Sequence, residues 1–245
     1  MMNVYWQAFL ASIFPRLFNM ARRTKEYALA TQHLLLDTAE RVFAEKGVSR
    51  TSLQDIAQAA GVSRGAIYWH FNNKADLVNA MMERIILPME QTLQHVGHND
   101  GQDPLIELRC AIGDAMEKIA TDERTRLVFE VVTFKVEYVD ELLAVKERHV
   151  KVHADGVREM QRSLTRAALR RGLTLTVPPT IAAQGLQAMI VGLIHTWLLA
   201  PQAFELVNVA EAVIGLYLAG LGLMPVAVPS PKLPPYGEKL AGVGD

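Results

Sequence analysis

Apolar residues recur at intervals of three and four along most of this chain, and no stretch alternates strictly, so the pattern predicts helices throughout. Leu34, Leu35, Thr38, Ala39, Val42 and Phe43 form one such stripe between Thr31 and Lys46, and Gly47 closes it. Thr51 and Gln54 stand at capping-box spacing, which starts a short helix ending near Ala59 or Ala60. Gly61 follows where a left-handed turn is wanted. Ser63 can cap a third short helix ending near Phe71. Asn73, with Asp76 three residues on, can cap a fourth that runs to about Leu93 and is kinked at Pro88.

Asp103-Pro104 reads as an N-cap with a proline in the first turn, opening a helix that ends near TDERTR. Two long helices are expected to fill Arg124 to Gly172. Pro178-Pro179 begins another, IAAQGLQAMIVGLIHTWLLA, which is apolar nearly all round and so is expected to be buried between its own domain and something else. A last helix lies between about Glu205 and Leu223. Beyond it PVAVPSPKLPPYGEKLAGVGD is too rich in proline to build a core and reads as a disordered tail, residues 224–245.

The chain has 245 residues, half of them hydrophobic, enough for a small head and a larger body. Its single cysteine, Cys110, cannot close an internal disulfide, which favours a reducing compartment and hence the cytoplasm. Net charge is −1 overall, but Arg22, Arg23, Lys25, Arg41, Lys46, Arg50, Arg64 and Lys74 outnumber Glu26, Asp37, Glu40, Glu45 and Asp55 by three between Met20 and Lys74. A polyanion should prefer that end. The opening MMNVYWQAFLASIFPRLFN lacks a basic start, is interrupted by Gln7 and Pro15 and is short for a bilayer. Residues 1–19 therefore read as a disordered extension or a misplaced start ahead of MARRTK, and no membrane partner is expected.

In TSLQDIAQAAGVSRGAIYWHF, Ile56, Ala59, Val62 and Ile67 are spaced to pack two short helices across Gly61, with Ala57 small enough for a close crossing. That is helix-turn-helix spacing, in which the second helix enters the major groove of DNA. Ser63 and Arg64 stand at its start, where free N–H groups favour a phosphate and Arg64 can donate twice to guanine. Gly65 and Ala66 let the helix approach the bases. Tyr68 and His70 can donate to phosphates, with Trp69 beside them only partly exposed, while Lys74, Thr51 and Ser52 can meet the backbone at neighbouring helix starts. Phe71 belongs in the head's core by its spacing from Ile67.

These residues carry a resemblance. GVSRGAIYWHFNNKADL, with MARRTK and FAEKGVSRTSLQDIAQAAG, resembles the DNA-binding head of the TetR family of bacterial repressors, in particular the AcrR/TtgR-like branch that controls multidrug efflux pumps. DERTRLVFEVVTFKVEYVDEL and GLIHTWLLAPQAFEL resemble that branch's ligand-binding body, so the likeness spans roughly Met20 to Leu223. It implies an all-α protein with a three-helix head at 20–77 and a ligand-binding and dimerisation domain at 78–223. It also implies a four-helix dimer interface from the last two helices, and release from a palindromic operator when a small hydrophobic effector shifts the fourth helix. The apolar last helices call for a partner surface on physical grounds too. By motif, the effector pocket would be lined by Ala111, Ala115, Phe129, Val132, Thr133, Gln187, Ile190, Ile194 and His195. Ordinary core packing competes with that role at every apolar position in the set.

An enzyme is not expected, because the sequence shows no nucleophile–base set and no paired carboxylates. No cofactor or metal is called for. His149 and His153 stand four apart and could share a metal, but Glu147 and Arg148 beside them mark an exposed charged face. The other reading within the family is a regulator of a metabolic or lipid pathway with a different effector.

Overall fold

The computed structural model describes residues 15–95 and 103–225, with side chains from residue 25 onward apart from 90 and 93–95. Most of the two expected disordered ends, residues 1–14 and 226–245, lies outside the described residues. Among those described there are nine α-helices and no strand. They are α1 (Pro15–Lys46), α2 (Leu53–Ala59), α3 (Arg64–His70), α4 (Lys74–His95), α5 (Pro104–Thr121), α6 (Glu123–Glu130), α7 (Leu143–Arg170), α8 (Pro179–Leu199) and α9 (Leu206–Gly220).

Local chemistry explains most of the boundaries. The Ser63 hydroxyl accepts from Ala66 N at 3.2 Å, Asn73 Oδ1 from Asp76 N at 2.8 Å, and Asp103 Oδ1 from Leu105 N at 3.0 Å. One cap falls elsewhere than expected. Ser52 and Asp55, not Thr51 and Gln54, form the capping box of α2, while the Thr51 hydroxyl turns back to Gly47 O at 2.8 Å. Asp55 is the shorter acceptor, and its carboxylate takes both the Ser52 N–H and the Ser52 hydroxyl.

The pair of long helices expected between Arg124 and Gly172 is also different. A short α6 ends in a π-turn, Val131–Lys135, and only after extended residues and a 3₁₀ turn (Asp140–Leu142) does the 28-residue α7 begin. The run Val131, Val132, Thr133, Val136, Val139 supplies the reason, since β-branched side chains lose χ1 freedom in an α-helix.

Buried apolar residues fall into two clusters. The first joins α1–α4 through Leu35, Phe43, Ile56, Ile67, Phe71, Leu77 and Met81, and takes in Val128, Val131, Leu142 and Val145 from the body. The second holds α5 and α7–α9 together around Leu108, Met116, Leu164, Leu186, Trp197 and Ile214. In α1 the stripe differs from the one expected: Leu34 is exposed and Leu36 is buried. The helix starts at Pro15 rather than Thr31, so its inward face is set by what packs against it.

Candidate nucleic-acid interface

Leu53, Ile56 and Ala57 form the buried face of α2, and Ile67 that of α3. Ala59, expected in that seam, is exposed; the crossing is made at Ala57, whose carbonyl accepts from Val62 N at 3.0 Å. Gly61 joins the helices with φ +67°, a conformation that costs other L-residues about 1–2 kcal/mol. Nothing lies within 4 Å of a Cβ built there, so its backbone freedom, and not close packing, calls for glycine.

With Ile67 and Phe71 held inside, the rest of α3 faces out. Ser63, Arg64, Gly65, Tyr68 and Trp69 are exposed, and Ala66 and His70 are half-buried. The Arg64 guanidinium lies over the Tyr68 ring at 5.5 Å, which holds a long side chain in a defined position on the open face. Trp69 is 71% exposed, more open than its sequence neighbours suggested, because a seven-residue helix has one inward face and Ile67 occupies it. The Trp69 and His70 rings meet edge to face at 4.5 Å, and burial lowers the His70 pKa, which favours the neutral donor/acceptor form at neutral pH.

Lys74 and Thr51 sit differently from expectation. Both are buried: Lys74 Nζ donates to Thr51 O at 3.1 Å and pairs with Glu141 Oε2 at 3.1 Å. A phosphate-ready cation was expected at this helix start; the ammonium is instead satisfied between the head and the body segment that leads into α7. Ser52 remains exposed at the rim of an open cleft of roughly 460 Å³, which Arg50, Tyr68 and Asn72 also line.

The residues expected to line an effector pocket are not brought together as one set. Ala111, Phe129, Ile190 and Ile194 pack, half-buried, on the body cluster, and Ala115 and Gln187 are half-buried. Val132 packs instead on the head cluster, and Thr133 and His195 are exposed. Val132 stands four residues after Val128 of the head cluster, and in the π-turn it is Phe134, five residues after Phe129, that packs on the body cluster, while Thr133 is exposed. Phe134, absent from the expected set, is an aromatic that faces α8, its ring 5.0 Å from that of His195. A separate cleft of roughly 380 Å³ between α5 and α9 is lined by Ile106, Arg109, Cys110, Val207 and Glu211 among others, and by none of the expected residues. His149 Nδ1 lies 3.0 Å from the Tyr138 hydroxyl, and no group of three metal-ligating residues occurs among the described residues.

Both parts of the chain are similar to known proteins. Residues 35–81 match the model for bacterial regulatory proteins of the tetR family, and residues 103–223 match the C-terminal region of MAATS-type transcriptional repressors. The HTH-type transcriptional regulator TtgR of Pseudomonas putida is 35% identical over 206 residues, which cover 84% of this chain and 98% of TtgR. The chain belongs to the TetR family. Among solved structures this TetR-family regulator is similar to NalD, the secondary repressor of the MexAB-OprM multidrug efflux pump in Pseudomonas aeruginosa. The two share 34% identity and a TM-score of 0.72, over 80% of this chain and 98% of NalD. It is also similar to SmeT, a Stenotrophomonas maltophilia repressor, in its triclosan complex, with 33% identity, a TM-score of 0.69, and 84% and 99% of the two chains covered.

Proposed function

We propose that this TetR-family regulator is a dimeric cytoplasmic repressor that leaves a palindromic operator when a small hydrophobic effector binds its body, and that it controls a multidrug efflux operon. The observation that carries the DNA reading is the capped helix α3, buried at Ile67 and open at Ser63, Arg64, Gly65 and Tyr68. Gly65 leaves this face low, and Arg64 is long enough to reach a base edge from it. Ser52, Ser63, Tyr68 and His70 are proposed to hold phosphates, with Trp69 over the backbone beside them. Thr51 and Lys74 are proposed to support that surface from below.

The efflux reading is supported by the names of the relatives that span nearly the whole of this chain's family-like region, NalD and SmeT among them. Dimerisation is supported by apolar surface on the last two helices. Ile181, Val191 and Leu199 of α8 and Leu216 of α9 are exposed, about half or more of each side chain, on helices whose other faces are already packed. Helix α8 is long and apolar enough to cross a membrane, but Ala182, Ala183, Leu186, Trp197 and Leu198 tie it into the body core, which favours a protein partner. Two copies would place their α3 helices about one turn of DNA, roughly 34–36 Å, apart.

The test is a band shift with the DNA upstream of this gene and of adjacent pump genes, followed by titration with triclosan and other hydrophobic drugs. Retarded DNA that is freed by such a compound is the expected result. Absence of any shift would sink the repressor reading, and a shift that none of these compounds reverses would favour a metabolic effector.

A further inference from the structure

Helix α5 faces the body core on one side and an open cleft on the other. Ala111 packs on the body cluster, on the side expected to meet an effector. Ile106, Arg109, Cys110, Gly113 and Glu117, at spacings of three and four, turn the other way and line the cleft of roughly 380 Å³ against α9. That volume is the size of a small-molecule site. Val207, Ala210 and Ile214 of α9 complete the cleft, and the exposed Leu216, two residues beyond Ile214, stands on the opposite side of that helix. A dimer built on the Leu216 face therefore leaves the cleft open.

The floor and the rim differ in chemistry. Ile112, Met116, Ala210 and Ile214 are buried and make the floor apolar. The rim carries three exposed carboxylates, Asp114, Glu117 and Glu211, against one cation, Arg109, whose Nη2 lies 3.6 Å from Glu211 Oε1. With that pair neutralised, Asp114 and Glu117 leave two negative charges at the mouth of an apolar hollow. Such a mouth attracts a cation, and such a floor rewards an apolar body.

Gly113 lies inside α5 on the cleft side. Its φ is not positive and no atom lies within 4 Å of a Cβ built there, so neither turn geometry nor packing calls for glycine. Glycine weakens a helix interior more than any residue but proline. Its missing side chain keeps the cleft deep, as glycine does where a ligand comes close to backbone.

We propose that the cleft between α5 and α9 is a ligand site separate from the effector-facing side of the body, and that it takes a small organic cation with an apolar body. The charge sits beside Asp114 and Glu117, and the apolar part lies on Ile112, Met116 and Ile214. The site belongs to the body and holds whether or not the head binds DNA.

The chain's one cysteine makes the test local, because Cys110 is exposed and lines this cleft. The rate at which iodoacetamide alkylates Cys110 is measured in the native full-length protein during titration with benzyldimethylhexylammonium into the millimolar range. Phenylhexanoate serves as an anion of similar apolar content. At about ten times its Kd the cation is expected to slow alkylation by about tenfold, by mass action, and the anion at the same concentration by less than about twofold. Gly113→Leu fills the cleft with a better helix former and should abolish the protection, while Asp114→Asn with Glu117→Gln should raise the Kd by about fivefold. No protection by the cation, equal protection by the anion, or protection unchanged in Gly113→Leu would overturn the proposal. So would a Cys110 that resists alkylation in the native protein, since the cleft is then covered. If Gly113→Leu does not fold, the double variant at Asp114 and Glu117 decides: a raised Kd supports the site, and an unchanged one overturns it.

Discussion

Glu40 of α1 is buried against Arg124 of α6, Nε to Oε2 at 3.1 Å, so the head's first helix and a body helix are joined by an ion pair, and Asp37 of α1 also pairs with Arg124. Arg84 of α4 reaches the same carboxylate and also Asp37, at 2.9 Å, so three helices converge on two acids. Burial pushes the Glu40 carboxyl up to about 7, against the pull of the Arg124 guanidinium. The head is thereby tied to the body through α1 as well as through α4, its covalent continuation.

Replacing Glu40 by Ala leaves two guanidiniums to share Asp37. The expected loss is about 2–4 kcal/mol in urea unfolding, toward the lower end because Arg124 and Asp37 keep solvent contact. Glu40→Gln should cost less and should also change the pH profile. A carboxyl whose folded pKa is raised binds its proton more tightly in the native state, so its contribution is full below about 4.5 and is lost as pH rises through about 7. The Gln variant should lack that part of the slope; an identical slope would show that Glu40 does not titrate in this window.

Gly185 of α8 lies where a Cβ would overlap the Tyr217 hydroxyl, which donates to Ala182 O at 2.8 Å. Gly185→Ala is expected to cost about 1–3 kcal/mol by overpacking the α8–α9 seam. Tyr217→Phe removes the clashing oxygen, so the double variant should recover part of that loss in thermal unfolding. Strict additivity of the two changes would show that the residues do not meet.

Arg64→Ala should weaken operator binding by about 1–3 kcal/mol if the side chain pairs with a base. Lys74→Ala should behave otherwise, because its ammonium is used inside the protein on Thr51 O and Glu141. Its melting temperature should fall while the salt dependence of DNA binding keeps its slope. A slope reduced by about one unit would instead return Lys74 to the phosphates.

Asp103 caps α5 and is held by Arg171 at the end of α7, which keeps its carboxyl below the ordinary range. A lowered carboxyl pKa contributes stability that is present above about 4 and lost as pH falls below it. Acid unfolding should therefore be less steep in Asp103→Asn than in the parent, and the variant should be the less stable near neutrality. Equal stability at neutral pH would show that the clamp contributes nothing.

The legible parts of the fold were those decided within a turn or two of chain. Ser63 and Asp103 cap where hydroxyl and carboxylate meet free N–H groups, Gly61 turns where φ is positive, and Ile67 and Phe71 go inside because their spacing leaves no other face for them. Expectation and structure part where two local solutions are nearly equal. Leu34 and Leu36 are equally apolar, and the partners of α1 chose Leu36; Thr51 and Ser52 can each cap α2, and the carboxylate of Asp55 chose Ser52. The set expected to line an effector pocket is divided between the two clusters. A count at helical spacing runs through Val132 and Thr133, and the π-turn breaks that count just there.

By itself, then, the sequence determined most of the helices and their caps, the turn of the reading unit and most of the side chains it exposes, because these depend on spacing and on groups within hydrogen-bonding reach along the chain. Tertiary structure alone decided that Lys74 is engaged by Glu141, that Glu40 gathers Arg84 and Arg124, and that Phe134 rather than Thr133 faces α8. Those contacts join residues tens of positions apart, and a buried charge finds its partner only when the helices that carry both are packed.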